Sequence, residues 1–264
     1  MTYSSLAAIV KYPYTSTTTP KHGKFGFFKS ELDCFRMVAT ELGLIEKSAD
    51  VFARHPLVYL MEAADDICYQ VMDIEDAHKL KILGIEEVTT LLTGFFNPER
   101  CRHITGVLDN IDDDNEKVAY LRSCVVGELV GECAKVFVDN EECILNGEFE
   151  GCLIDHISPV ARNGYAECSR TAWRKIYNSP DVVDIELAGN QIITFLLDRL
   201  IDAVLLPEKN YSRLLLSRIP HQYDTSSPTT YGKIQSVLDH ISGMTDVYAL
   251  DLFRKLNGLS LPAV

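Results

Sequence analysis

Six carboxylates fall within the short run EAADDICYQVMDIEDAHK, residues 62 to 79, beside Cys68, Tyr69 and His78. Proline-free and apolar at helical intervals, the run predicts a helix. Residues four apart on a helix differ by about 40° around the axis and about 6 Å along it, so Asp65, Tyr69 and Asp73 form one shallow stripe able to face a single ligand. Leu57, Met61, Cys68 and Met72 define an apolar stripe passing through position 65, which places Asp65 in or at the edge of the core. An ionised carboxylate there is costly unless paired, and a bound metal is one way to satisfy it. The alternative is a solvated acidic face, comprising Glu62, Asp66, Asp73, Glu75 and Asp76, with Asp65 protonated or bonded to an arginine.

Other chemistry-bearing residues are more scattered. Arg122 sits among apolar residues in VAYLRSCVVGEL and needs a buried acid or an anionic ligand. Lys21, His22 and Lys24 form a small basic group beside aromatics in PKHGKFGFF, a phosphate contact or a surface loop. His55 is either a ligand or the residue that precedes a helix starting at Pro56, and Trp173 reads as core. Eight cysteines without a C-x-x-C pair read as reduced core residues of a cytoplasmic protein.

The elements that must position these groups are helical. Ser30 caps a helix over 31–47, Pro56 opens one running to about Leu80, and a third spans 115–139 with Val118, Leu121, Val125, Leu129 and Val136 on one face. Helices over 162–177 and 181–206 follow, the second entered through Ser179 and Pro180. A last long helix starts near Thr229 and carries Ile234, Val237, Leu238, Ile241, Met244, Tyr248, Leu252 and Leu256 at amphipathic spacing. No alternating strand pattern is evident, so the class is all-α, a single domain over 1–264 with seven to nine helices. The formal charge of −13 over 264 residues argues against a general nucleic-acid or anionic-membrane binder. No apolar run reaches membrane-spanning length, and the amino terminus lacks a signal-peptide pattern.

Three segments in order, YPYTSTTTPKHGKFGFF (12–28), RHPLVYLMEAADDICYQVMDIEDA (54–77) and DHISGMTDVYALDLFRKLNG (239–258), resemble the bacterial deoxyguanosine triphosphate triphosphohydrolases of the HD-domain superfamily. The resemblance implies a helical HD-type bundle, with active-site helices over roughly 1–110 and a helical C-terminal region over 111–264. It also implies hydrolysis of dGTP or another dNTP to deoxynucleoside and inorganic triphosphate at a divalent metal, Mn²⁺ or Mg²⁺ foremost. Such a reaction needs a Lewis acid at the phosphoryl oxygen and cations for the triphosphate. By position, Asp65 corresponds to a metal ligand and Tyr69 and Asp73 to the deoxyribose-binding pair; Arg122 and Lys24 are candidate phosphate contacts. The family's defining His and His-Asp ligands have no counterpart here: no His-Asp dipeptide occurs among the seven histidines. The chain therefore reads as the C-terminal part of such a hydrolase, supplying one metal ligand of four and inactive alone. The competing reading is a non-catalytic helical module for nucleotide binding or oligomerisation. A homo-oligomer is implied by the resemblance, and single-stranded DNA is a candidate regulator.

Overall fold

A computed structural model describes residues 1–18 and 23–259; Lys21 and His22 of the basic group lie outside them. Twelve α-helices occur among the described residues, with two very short antiparallel strands, β1 (Glu46–Ser48) and β2 (Val51–Phe52), so the all-α class holds. The chain forms two compact units, Met1–Tyr177 and Asn178–Val264; the first holds a main core and a smaller cluster of Phe27, Phe35, Ala39 and Phe52, and the second has its own core. Residue 110 lies within the first unit, in the turn between its fifth and sixth helices.

The first unit is built on two long helices. One is α3 (Pro56–Lys79), whose entry is fixed by Pro56 in the first turn and by His55, whose Nδ1 accepts from the Leu57 amide at 3.2 Å. The other is α6 (Asp114–Asp139), capped by the Asp113 carboxylate, which accepts from the Glu116 amide at 2.9 Å. They pack together along the stripe foreseen for the second: Val118, Leu121, Val125, Leu129 and Val136 are all buried. Around them sit α1 (Tyr3–Ala8), α2 (Leu32–Leu42), α4 (Ile85–Thr93), α5 (Pro98–Leu108), α7 (Glu141–Leu145) and α8 (Pro159–Thr171). A π-helical turn, Ala172–Ile176, continues α8.

Several expectations need correction. The helix expected over 31–47 ends at Leu42, because Gly43 adopts a left-handed φ of 65°; its first turn is 3-10, with Glu31 accepting from the Phe28 amide. Short helices α1, α4, α5 and α7 were not expected, being too brief to show a clear period. Of the cysteines, only Cys133 and Cys168 are buried, while Cys34, Cys68 and Cys143 are exposed; none is disulfide-bonded among the described residues.

The second unit is a four-helix cluster: α9 (Pro180–Leu205), α10 (Asn210–Leu216), α11 (Thr230–Ser242) and α12 (Asp246–Leu256). Its core gathers Leu196, Leu200, Val204, Leu215, Val237, Ile241 and Leu252. The single long helix expected after Thr229 is therefore two. It breaks at Gly243 and Met244, and the Thr245 side chain caps the new start by accepting from the Tyr248 amide at 3.3 Å. Among the described residues no helix is long and apolar enough to cross a membrane.

Candidate functional site

The orientation of α3 decides what its carboxylates do. Its buried side is Tyr59, Ala63, Ile67, Val71, Ile74 and Ala77, packed against α6 and α8, and not the Leu57–Met61–Cys68–Met72 stripe. Leu57 is exposed, as are Cys68 and Asp65, so Asp65 faces outward rather than into the core. Both sides of α3 carry apolar residues at helical spacing; periodicity alone does not choose between them, and the packing partners do.

Two carboxylates expected on a solvated face are in fact buried, each with cations. Glu62 receives Lys11 Nζ at 2.7 Å and Arg54 Nη1 at 3.0 Å. Glu75 receives Lys79 Nζ at 3.0 Å and Arg122 Nη1 at 3.1 Å. Arg122 thus has a buried acid as partner, on the C-terminal half of α3. It also points a guanidinium nitrogen at the Met72 sulfur, 3.8 Å away.

The stripe expected to meet a ligand is present and graded in exposure. Asp65 and Tyr69 are exposed, the latter 63%, while Asp66 and Asp73 are half-buried. Asp73 accepts a short hydrogen bond from the Tyr177 hydroxyl, just past the π-helical turn. Burial pushes the Asp73 carboxyl above its ordinary value, and the Tyr177 hydrogen bond pulls it back in part. Trp173, expected in the core, is 70% exposed and meets the Tyr177 ring edge-on at 6.5 Å between centroids. It belongs to the π turn, whose inward residues are Ala172 and Ile176.

A cleft of about 520 Å³ lies between the 11–14 strap, the β2 region and the loop at 149–151; α3 contributes Tyr59 to its wall, and Asp65, Tyr69 and Asp73 do not line it. Among the described residues its walls carry Lys11, Lys24, Lys47 and Arg54 against one acid, Glu150, a local excess of positive charge on a chain of net −13. Lys24, a candidate phosphate contact, lies over the Tyr12 ring at 5.7 Å, and Lys11 lies over the same ring at 5.8 Å. Arg122 does not line this cleft. Lys11, Lys47 and Arg54 escaped the sequence reading, although Glu62 held the signal: a glutamate within an otherwise apolar helix turn requires a cation from elsewhere.

His55 is accounted for by its capping role, and burial lowers its pKa. Among the described residues no three His, Cys, Asp or Glu side chains converge as a metal site. The described donors therefore do not by themselves fit a catalytic metal, since Asp65 offers one carboxylate where three or more protein ligands are usual.

A family model described as a phosphohydrolase-associated domain matches residues 156–255. The chain is thus all-helical, and its C-terminal part is similar to a phosphohydrolase-associated domain. The chain is 31% identical, over its full length, to the deoxyguanosinetriphosphate triphosphohydrolase-like protein of Pseudomonas aeruginosa, of which it covers 61%. With the like-named protein of Synechocystis it shares 32% identity over 99% of its length and 60% of that protein. The deoxyguanosinetriphosphate triphosphohydrolase of Yersinia pestis is 26% identical over 97% of the chain and 60% of its own length. The chain is a homologue of these triphosphohydrolase and triphosphohydrolase-like proteins and spans about 60% of their length, the C-terminal part.

Proposed function

We propose that this chain is the nucleotide-binding part of a dNTP triphosphohydrolase that takes dGTP or a related dNTP. The observation that carries the reading is a cation-lined cleft on the same unit as the Asp65–Tyr69–Asp73 stripe, with Tyr59 of the same helix, α3, in its wall. A triphosphate requires several cations in a partly enclosed site, and Lys11, Lys24, Lys47 and Arg54 supply them. The exposed Tyr69 ring offers a flat surface against a deoxyribose, where a 2'-hydroxyl would collide. Asp73 accepts from the sugar 3'-hydroxyl, since a carboxylate holding Tyr177 has lone pairs left for a second donor. In the overall reaction, water adds at the α-phosphorus and the bond to the sugar oxygen breaks. The deoxynucleoside leaves with a proton and triphosphate departs as a unit.

Asp65 is assigned as one ligand of a divalent ion, Mn²⁺ or Mg²⁺, whose remaining ligands come from residues outside this sequence. Arg122 is a weaker phosphate candidate than Lys24, because it does not line the cleft.

Calorimetric titration of the chain with dGTP and with GTP tests the reading. Binding of dGTP about tenfold tighter than GTP is expected, the cost of forcing one hydroxyl into an apolar contact. Equal affinities would remove the sugar-recognition role, and no binding of either would remove the nucleotide site. A second assay supplies in trans the part of the Pseudomonas aeruginosa relative that this chain does not span, with Mn²⁺, and looks for deoxyguanosine and triphosphate.

A further inference from the structure

Glu62 is 5% exposed, and it neither lines the cleft nor projects into it. Its two carboxylate oxygens are divided between two cations that do line it: Oε1 takes Lys11 and Oε2 takes Arg54. Arg54 is in turn a three-way tie. Its Nε donates to the Lys11 carbonyl at 3.1 Å, its Nη1 donates to the Gly151 carbonyl at 3.2 Å, and its guanidinium lies over the Tyr59 ring at 5.5 Å. The strap at residue 11, the start of α3 and the loop at 151 therefore meet at one guanidinium, and Glu62 is the acid that fixes it. Tyr59 reinforces the same closure by donating its hydroxyl to the Phe149 carbonyl at 3.0 Å.

From this geometry we infer that Glu62 is a positioning residue for polyphosphate: it aims Lys11 and Arg54 into the cleft as a fixed pair while being screened from the anion itself. This rests on the proposed nucleotide-binding reading and adds to it the residue that preorganises the cations. Two opposed effects are at stake. Removing the Glu62 charge raises the positive potential in the cleft, which favours an anion. Removing it also frees two long side chains and unties the strap from the loop, which costs ordering on binding. A buried carboxylate accepting two charge-assisted hydrogen bonds holds its partners strongly, whereas one charge behind a solvated cleft is partly screened, so the positioning effect dominates.

The test is calorimetric titration of the full chain with inorganic triphosphate, for wild type, Glu62→Gln, Glu62→Asp, Lys11→Met and the Glu62→Gln/Lys11→Met double variant. Wild type is expected to bind. Glu62→Gln is expected to bind about tenfold more weakly, the worth of one charge-assisted hydrogen bond. Glu62→Asp keeps the charge but is one methylene too short to reach both cations, and is expected to fall between. Because Glu62 acts through Lys11, the loss caused by Glu62→Gln is expected to shrink in the Lys11→Met background, where a merely structural role would give additive losses. Unchanged or tighter binding by Glu62→Gln, or full additivity in the double variant, overturns the inference and leaves the nucleotide site standing. If Glu62→Gln does not fold, unchanged affinity in Glu62→Asp overturns it instead. Absence of triphosphate binding by wild type overturns both this inference and the reading beneath it.

Discussion

The Tyr177 hydroxyl donates to the Asp73 carboxylate across 104 residues of chain, joining the end of the first unit to the C-terminal half of α3. The bond orients the carboxylate proposed to take the sugar 3'-hydroxyl and holds its pKa below the level that burial alone would set. Tyr177→Phe is expected to weaken dGTP binding by about two- to tenfold at neutral pH, the range of one hydrogen bond. With the donor gone, the Asp73 pKa rises further and the carboxylate protonates sooner as the solution is acidified. Affinity in the variant should therefore begin to fall at a higher pH than in wild type. Calorimetric titrations across the acid range check this; superimposable profiles would detach Tyr177 from Asp73 function.

Asp73→Ala removes the acceptor altogether. Deoxynucleotide affinity is expected to drop by more than in Tyr177→Phe, while affinity for inorganic triphosphate, which has no sugar, stays unchanged. Parallel titrations with dGTP and triphosphate separate the two. A matching loss for both ligands would mean that Asp73 shapes the fold rather than the sugar site.

How far the site was legible follows from where its residues lie in the chain. Asp65, Tyr69 and Asp73 share one helix, so spacing alone puts them on a stripe, and Pro56 marks the helix start. Which side of α3 faces inward was not legible, because Leu57, Met61 and Met72 on one side and Ala63, Ile67 and Ile74 on the other are equally apolar. The buried side was settled by α6 and α8, contacts between distant segments. The cleft was harder still: Lys11, Lys24, Lys47, Arg54 and Glu150 come from separate stretches, with no common period to reveal them. Conversely, the break between α11 and α12 was hidden because Ile241, Met244, Tyr248 and Leu252 keep helical phase across it; only Gly243 and the capping Thr245 mark the stop.

Gly147 closes the turn after α7 with a left-handed φ of 67°, and a Cβ there would meet the Ala53 Cβ at 2.7 Å. Gly147→Ala combines an unfavourable backbone region with a contact on Ala53, which sits between the cleft-lining Phe52 and Arg54. The expected cost is about 1–3 kcal/mol of stability. Urea unfolding measures it, and a cost below about 0.5 kcal/mol would show that the loop shifts freely.

In the second unit, His240 is 4% exposed, its ring lies 5.1 Å from that of Tyr223, and its Nε2 has no hydrogen-bond partner among the described residues. Burial lowers its pKa below the ordinary 6.5, so the folded state resists the proton that the unfolded chain accepts. The resulting stability is present in full above the ordinary value and is lost as the pH falls toward and through the lowered one. His240→Phe keeps an aromatic ring against Tyr223 and removes both the unpartnered nitrogen and the titration. The variant is expected to match or exceed wild type at neutral pH, and to gain on it as the solution is acidified. Thermal melts at a series of pH values check the sign; a difference between the two proteins that does not change with pH would place the acid sensitivity elsewhere in the chain.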